Sequence, residues 1–302
     1  MKHLLSIEAL TRDEIYDVLD LAETLKASRG HHEFLPLAGQ CWALIFSKSS
    51  TRTRVSFEVG IRELGGSVMF LSATDIQLGR GEPIEDTARV MGRMLDGAVI
   101  RTFLQSDVET FAQYSRIPTV NALTDDEHPC QILADLQTIR ERMGSLEGRS
   151  VCFVGDGACN VAASWIWAAA KLDLELRIAA PAGFQPSDTL LERARRTGHI
   201  SVFEDPNEAA RGVDVLYTDV WVSMGKESEA AERMASLAKY QINEKLVECA
   251  APGALVMHCL PAYRGKEITA ETFEAHAETL FDQAENRLHA QKAILQLIAH
   301  RA

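Results

Sequence analysis

The sequence predicts an α/β protein with two similar-sized domains, each built on a parallel sheet flanked by helices. Short apolar runs alternate with segments of helical periodicity along most of the chain. This alternation is typical of parallel sheets that are covered on both faces. It forms two series, separated by the loop GSLEG at 144–148, and a chain of 302 residues is long enough for two cores.

The first series opens with a helix that the sequence caps. Thr11 and Glu14 fit a capping box, and apolar residues then recur at helical spacing as far as Leu25. The next strands are predicted at Cys41–Phe46, 67–71, 98–100 and 119–123. The helices between and after them are predicted at 53–64, 86–95, 108–114 and 129–143.

The second series repeats the alternation. Its strands are predicted at 151–154, 174–179, 213–217 and 254–257. Its helices are expected near 161–172, 188–196, 229–239 and 285–300. Periodicity alone leaves open whether the last helix packs on the second domain or crosses back to the first.

Composition narrows the class of protein. The formal charge of −12, from 31 basic and 43 acidic side chains, disfavours nucleic acid and anionic membranes as partners. No apolar run approaches the roughly 18 residues of a membrane span, and the first residues contain no long apolar signal core. The six scattered cysteines form no C-x-x-C pair, so we expect reduced thiols and a cytoplasmic location.

The residues that follow the predicted strands are the candidates for ligand binding. In open α/β sheets, ligands bind outside the carboxyl ends of the strands. In the first series, Arg52 and Arg101 stand there with several hydroxyl groups, a combination that suits an anion. In the second series, Asn160, Asp219 and Ser223 suit an amine with further hydrogen-bonding groups.

The stretch FSKSSTRTR, at 46–54, joins a strand to a helix. A helix N-terminus attracts phosphate, and hydroxyls and a guanidinium can add donors to it. The alternative is an ordinary Ser/Thr helix cap with two solvated arginines, and spacing does not separate the two. The stretch is not a Walker P-loop, because it lacks the required glycines and the Gly-Lys-Ser/Thr ending.

Two other stretches admit different chemistry. The stretch VGDGACN partly matches a dinucleotide fingerprint and would suit a nicotinamide-dependent oxidoreductase, but Asn160 stands where the third glycine is required. His128, Cys130, His258 and Cys259 are zinc ligands by type. Their spacing does not fit a closed zinc site.

Four motifs carry a resemblance to a known family. They are STRTR after a strand, HPCQ followed by ILAD, DVWVSMG, and HCLP with Arg264-Gly265 beyond it, in this order along the whole chain. Together they resemble the ornithine branch of the aspartate/ornithine carbamoyltransferases. The resemblance implies transfer of a carbamoyl group from carbamoyl phosphate to L-ornithine, giving L-citrulline and phosphate, with no cofactor and no metal. It places the reaction in arginine metabolism, with biosynthesis the expected role.

The resemblance also implies which residues bind carbamoyl phosphate, the donor of the carbamoyl group. The matching carbamoyl phosphate-binding positions are Ser50, Thr51, Arg52, Thr53, Gln77, Arg101, His128, Gln131, Cys259, Leu260 and Arg287. Arg101, His128, Asp219 and Cys259 match the catalytic positions. Simpler interpretations stay open for four of these residues: an ion-paired Arg101, a helix-capping His128, a small core residue at Cys259 and an ordinary helical Arg287.

The implied acceptor site, which binds the amine that receives the carbamoyl group, lies in the second series. Asn160, Asp219, Ser223 and Met224 match the positions that hold ornithine. Cys159 departs from the family, which has an asparagine there, and the alternative interpretation of Asn160 is a cap of the following helix. Because Ser223-Met224-Gly225 is the main argument for ornithine, the alternative is a carbamoyltransferase for putrescine or an N-acylated ornithine.

The resemblance finally implies an arrangement of domains and subunits. Residues 1–135 would bind carbamoyl phosphate, with a C-terminal helix at 286–302 packing back on them, and residues 136–285 would bind ornithine. The active site is expected in the cleft between the domains. The loop with Gln77 would reach a neighbouring subunit's site in a homotrimer. A phosphate-binding scaffold without catalysis is the non-enzymatic alternative.

Overall fold

The computed structural model describes residues 1–31, 34–72, 81–196, 198–223 and 225–299. The chain divides into two compact units. The first unit comprises Met1–Gln137 with Asn286–Ala302, and the second comprises Thr138–Glu285. Two helices, Pro129–Met143 and Ala277–Ala299, contribute residues to both units.

The first unit contains a four-stranded parallel sheet in the order β2-β1-β3-β4. Its strands are β1 (Cys41–Phe46), β2 (Ser67–Ser72), β3 (Gly97–Arg101) and β4 (Thr119–Leu123). Its helices are α1 (Arg12–Ala27), α2 (Thr51–Glu63), α3 (Ile84–Met91), α4 (Gln105–Ser115) and the first part of α5 (Pro129–Met143). The capping box predicted for α1 is confirmed, because Thr11 and Glu14 exchange both of its hydrogen bonds.

The core of the first unit forms on both faces of the sheet. Every residue of β3 is buried, and so is β1 from residue 42 onward, which requires cover on each face. On one face, Ala43 and Ile45 pack with Val108 and Phe111 of α4. The near-continuous apolar sequence of β1 is thus explained by its central place in the sheet.

The second unit contains a five-stranded parallel sheet in the order β7-β6-β5-β8-β9. Its strands are β5 (Ser150–Val154), β6 (Glu175–Ala179), β7 (His199–Phe203), β8 (Val215–Thr218) and β9 (Leu255–His258). Its helices include α6 (Asn160–Leu172), α7 (Asp188–Ala194), α8 (Pro206–Ala210), α9 (Ala230–Leu237), α10 (Glu244–Cys249), α11 (Ala270–Ala275) and the start of α12 (Ala277–Ala299). The predicted fold class of two parallel α/β sheets is confirmed.

The structure differs from the predicted elements in three respects. Strand β7 was not predicted, because it lies at the sheet edge and its sequence, HISVF, mixes exposed and buried positions. Helices α8, α10 and α11 are only five or six residues long, too short for a clear period. Helix α12 begins at Ala277, well before the predicted start at 285.

Two further observations concern the class of protein. No helix in the described part of the chain is both long and apolar enough to cross a membrane. All six cysteines lie within the described residues, and each is a free thiol.

Candidate active site

The loop after β1 leads into the N-terminus of α2. Ser50 is the N-cap, and its hydroxyl accepts a hydrogen bond from the backbone N–H of Thr53 at 3.3 Å. Thr51 is the first helical residue and is exposed, so the positive end of the helix dipole is accessible to an anion. Ser50 therefore caps the helix, but its hydroxyl hydrogen remains able to serve a ligand.

Arg52 is not a solvated surface arginine. Its side chain is only partly exposed, and its Nε is buried without a hydrogen-bond partner among the described residues. A buried guanidinium N–H without an acceptor is costly, so it marks a position where a ligand oxygen would be stabilised. This geometry favours the anion-site interpretation of the loop over the ordinary cap.

Thr53 and Arg287 are joined in the first unit. Arg287, on α12, donates from Nη2 to the Thr53 hydroxyl at 2.7 Å, and both side chains are buried. The ordinary-helix interpretation of Arg287 is therefore wrong, because its guanidinium is held at the start of α2 rather than in solvent. α12 thus brings a residue more than 230 positions away to the proposed phosphate loop.

Arg101 ends β3, directly beside the end of β1. It pairs in register with Phe46, and its carbonyl accepts from the backbone N–H of Ser47 at 2.8 Å. A register shift between Ile100 and Arg101 disturbs the pairing with β4 at this point. Such an irregularity at a strand end redirects the side chain, which is buried.

His128 lies just before α5 and is buried. Burial lowers its pKa well below the usual value, and the positive charges of Arg287 and Arg101 lower it further. The imidazole is therefore neutral at physiological pH and has one N–H to donate. The same electrostatic effect indicates that three predicted site residues, Arg101, His128 and Arg287, are near one another.

Gln131 lies in the first turn of α5 and is buried. Its Nε2 donates to Oδ1 of Asp135 at 2.8 Å, which fixes the amide orientation. Its Oε1 is buried and has no hydrogen-bond partner among the described residues. One buried amide oxygen is thus oriented as an acceptor for an N–H group.

Lys48 was not singled out from the sequence, although it lies in the same stretch as Ser50. It is buried, pairs with Asp125 in the loop after β4, and its Nζ lies 4.3 Å from the centre of the Phe103 ring. It therefore connects the loop that leads to Ser50 with the loop that leads to His128. A lysine directly after an apolar strand was the available signal.

In the second unit, Asn160 is the first residue of α6 and is partly buried. Cys159, not Asn160, is the N-cap, and its sulfur accepts from the N–H of Ala162 at 3.5 Å. The capping alternative for Asn160 is therefore wrong. A thiol thus takes over the capping position where the family has asparagine, and the Asn160 side chain is not used as the cap.

The turn after β5 contains Gly157 in a crowded position. A Cβ at Gly157 would lie 2.7 Å from Cγ2 of Ile178 and 3.1 Å from the carbonyl oxygen of Phe184. The glycine is therefore required by packing within the unit. Asp156 closes the turn, because its Oδ1 accepts from the N–H of Ala158 at 3.0 Å.

Asp219 and Cys259 are joined where β8 and β9 end. The Cys259 thiol donates to Oδ1 of Asp219 at 2.8 Å, and the backbone N–H of Val220 donates to the same oxygen at 2.7 Å. Burial raises the pKa of Asp219, while the hydrogen bonds from Cys259 and Val220 oppose that rise. The simple core interpretation of Cys259 is therefore incomplete, because its thiol has a polar partner.

His258 precedes Cys259 and orients the same turn. Its Nδ1 accepts from the N–H of Leu260 at 2.8 Å, so the ring proton belongs on Nε2, which faces Oε1 of Glu267 at 3.2 Å. Both His258 and Glu267 are fully buried. Neither residue was assigned this role from the sequence.

Asp219, His258 and Cys259 are also close enough to share a cation, with ligand atoms within 4.8 Å of one another. In this arrangement both nitrogens of His258 already have partners. A metal would have to displace one of them. The zinc set considered from the sequence is not this set, since His128 and Cys130 belong to the first unit.

The remaining predicted residues complete the description. Ser223 is partly buried in the loop after β8, and its carbonyl accepts from the N–H of Lys226 at 3.0 Å. Leu260 has a positive φ of 57° and precedes a cis proline. Gln77 and Met224 lie outside the described residues.

Comparisons with known proteins agree with both units. Residues 2–141 match the carbamoyl-P binding domain of aspartate/ornithine carbamoyltransferase, and residues 147–298 match its Asp/Orn binding domain. An ornithine carbamoyltransferase of Akkermansia muciniphila is 59% identical over 99% of this chain and 98% of its own length. One of Nitrosococcus oceani is 50% identical over 97% of this chain and 96% of its own length.

Solved structures agree as well. The crystal structure of anabolic ornithine carbamoyltransferase from Campylobacter jejuni has a TM-score of 0.94 at 39% identity and full coverage of both chains. Ornithine carbamoyltransferase from Pyrococcus furiosus has a TM-score of 0.94 at 42% identity, covering 100% of this chain and 98% of that one. This chain therefore belongs to the aspartate/ornithine carbamoyltransferase family.

Proposed function

We propose that this chain transfers the carbamoyl group of carbamoyl phosphate to the δ-amine of L-ornithine, giving L-citrulline and phosphate. The observation that carries the proposal is the set of buried residues in the first unit, Arg101, His128 and Arg287, of which Arg287 contacts Thr53 at the start of α2. Two fixed cations and a neutral donor suit a substrate that carries both a phosphate and a carbonyl group.

The first unit would bind carbamoyl phosphate. The N-terminus of α2, Ser50, Thr51 and Thr53 would donate to phosphate oxygens, and Arg52 would add its guanidinium. Arg101 and His128 would hold the carbonyl oxygen. The oriented Oε1 of Gln131 would accept from the carbamoyl amide. Gln77, Leu260 and Arg287 are included on the family resemblance, with the Arg287 contact to Thr53 as added support.

The second unit would bind the acceptor. The carboxylate of Asp219 suits an amino group electrostatically, and Asn160, Ser223 and Met224 would contact the rest of ornithine. Support for ornithine over other amines comes from the relatives, which carry that name at 59% and 50% identity over nearly the whole chain. Putrescine and N-acylated ornithines are therefore the less favoured acceptors.

The reaction would proceed by direct attack. Ornithine loses a proton from its δ-amine, the neutral nitrogen attacks the carbamoyl carbon, and a tetrahedral oxyanion forms. Arg101, His128 and the Thr53 hydroxyl would stabilise its oxygen. Collapse would break the bond between the carbamoyl carbon and the phosphate oxygen, leave phosphate on Arg52 and the α2 N-terminus, and pass the second proton of the attacking nitrogen to a phosphate oxygen. Asp219 and Cys259 are the candidates to assist the proton loss. Most of the rate enhancement would come from positioning the two substrates and from charges that are already in place.

The subunit arrangement belongs to the same proposal. We propose a homotrimer in which the loop with Gln77 reaches a neighbouring subunit's site. Val55 on α2 and Met69 on β2 are large apolar residues that are exposed in the single chain. β2 is an edge strand, so this surface is suited to burial by another copy. A cytoplasmic role in arginine biosynthesis is the proposed setting, consistent with six free cysteines.

An acceptor panel tests the proposed function. The chain would be incubated with carbamoyl phosphate and one of L-ornithine, putrescine or N-acetylornithine, and each product identified by mass. We expect citrulline and a strong preference for L-ornithine. Product from another amine alone would keep the donor half of the proposal and overturn the acceptor half. No product with any amine would favour the non-catalytic scaffold.

A further inference from the structure

Two loops of the second unit carry the proposed acceptor residues. The turn after β5 leads to Asn160, and the loop after β8 contains Asp219 and Ser223. The two strands are paired, so a contact between the loops would fix their relative position beyond the strand ends. We infer that Arg233 is a positioning residue: it joins the two loops and thereby fixes the geometry of the acceptor site. The inference rests on the proposed function.

The contacts of Arg233 support this role. From α9, its Nη1 donates to Oδ2 of Asp156 at 2.7 Å and to the carbonyl oxygen of Trp221 at 3.2 Å. Asp156 belongs to the first loop and Trp221 to the second. One guanidinium nitrogen therefore bridges the two loops directly.

The bridge is shielded and held in place. The exposed fractions of the Arg233 and Asp156 side chains are 11% and 8%. The Nε of Arg233 donates to Glu229 at 2.9 Å, and its guanidinium carbon lies 5.2 Å from the centre of the Phe184 ring. A buried ion pair with several fixed contacts has a defined geometry, unlike an exposed one.

The bridge acts on the residues next to the substrate. Oδ1 of Asp156 accepts from the N–H of Ala158, and the Asp156 carbonyl accepts from the N–H of Cys159 at 3.3 Å. Cys159 caps the helix that begins with Asn160. Trp221 lies two residues after Asp219, and its buried indole packs in the core of the unit. Arg233 therefore fixes the backbone of both loops that carry proposed acceptor residues, without belonging to the proposed binding set.

Steady-state kinetics of variants of the full chain test the inference. Arg233→Met should raise the KM for L-ornithine about 10- to 100-fold, while the KM for carbamoyl phosphate stays within about twofold of the unsubstituted value. Arg233→Lys keeps the charge but loses the planar guanidinium with its several N–H donors. Its KM for L-ornithine should therefore lie between those of the unsubstituted chain and Arg233→Met. Equal increases in both KM values would indicate a general loss of structure and overturn the inference.

Arg177→Met is the matched control. Arg177 lies in the same unit and also combines one ion pair, to Glu175, with backbone carbonyl contacts, to Ala209 and Arg211. It touches neither acceptor loop in those contacts. We expect it to lower the melting temperature without a selective rise in the KM for L-ornithine. A selective rise of equal size in this control would overturn the inference, since a loss of structure elsewhere in the unit would then have the same effect.

A double variant separates two effects of losing Arg233: the lost contact between the loops and the unpaired charge of Asp156. Arg233→Met leaves Asp156 as an unpaired buried carboxylate, which destabilises the fold by itself. Asp156→Asn combined with Arg233→Met removes that charge, so stability should recover while the KM for L-ornithine stays raised. Recovery of the ornithine KM would overturn the inference. Absence of citrulline from the unsubstituted chain would instead overturn the proposed function.

Discussion

The Cys259 thiol donates to Oδ1 of Asp219 across 2.8 Å, at the ends of two neighbouring strands. This contact joins the motif HCLP to the motif DVWVSMG, which lie 40 residues apart in the chain. Burial raises the pKa of Asp219, and the thiol hydrogen bond opposes that rise. Cys259 thus helps to keep Asp219 ionised, and the proposed function uses this carboxylate to bind the amino group of ornithine.

Cys259→Ala should lower kcat/KM for L-ornithine by roughly 10- to 100-fold, since a hydrogen bond to a charged group contributes about 1.5–3 kcal/mol. Asp219→Asn should cost at least as much. Initial rates at varied L-ornithine measure both. Cys249→Ala is the control, because Cys249 is a partly exposed thiol of the same unit that bonds to the Lys245 carbonyl. Unchanged kinetics for Cys259→Ala would exclude a role for this thiol.

Arg52→Ala should raise the KM for carbamoyl phosphate and lower kcat together, by about 100-fold or more in kcat/KM. The reason is its partly buried guanidinium, whose Nε has no partner among the described residues. Arg62→Ala serves as the control, because Arg62 is an exposed arginine in the last turn of the same helix. Full turnover by Arg52→Ala would remove Arg52 from the phosphate site.

The lowered pKa of His128 predicts a pH dependence of stability. Its folded pKa lies well below the unfolded value of about 6.5, so the unfolded chain binds more protons between the two. The stability that His128 contributes is complete above about pH 6.5 and is lost as pH falls through that window, by at most about 1.4 kcal/mol per pH unit.

Urea unfolding between pH 5 and 7.5 measures this dependence. In His128→Gln, the decrease of the unfolding midpoint toward acid pH should become shallower. The substitution removes one titratable group, so the difference between the two profiles isolates His128. Parallel profiles would show that the imidazole is not held neutral.

Met69→Glu tests the proposed trimer. A charge on the exposed apolar surface of Val55 and Met69 should prevent its burial and shift the mass toward the 33.3 kDa of one chain. Sedimentation equilibrium measures the mass before and after the substitution. Phe281→Glu is the control, since Phe281 is equally exposed but lies in the second unit. An unsubstituted chain that sediments as a monomer would contradict the trimer.

Local sequence signals predicted most of the sheet strands because β1, β3 and β5 are buried along their length and read as continuous apolar runs. The edge strand β7 has no such run. The early start of α12 was missed because buried polar residues, Thr279 and Gln283, interrupt its apolar period before residue 285. Periodicity detects a helix that has one apolar face, not one that buries polar side chains.

Motifs marked some residues of the candidate site in the sequence, such as Ser50 and Asp219, and their roles stay predictions. The contacts that a motif does not encode were not predictable. Arg287 has the spacing of an ordinary helical arginine, and only the family resemblance marked it; its contact with Thr53 is seen only in the structure. Arg233 lies in no recognised motif. Both act through long-range hydrogen bonds, which depend on tertiary structure rather than on local sequence.

The central claim is that the carbamoyl carbon becomes bonded to the δ-nitrogen of ornithine. Carbamoyl phosphate labelled with carbon-13 and L-ornithine labelled with nitrogen-15 at the δ position would be incubated with the chain and followed by NMR. The proposed reaction predicts a one-bond carbon–nitrogen coupling in the product, with one phosphate released for each coupled product. Phosphate release without that coupling, or a product in which the carbon-13 is bonded to the α-nitrogen, would contradict the proposed reaction.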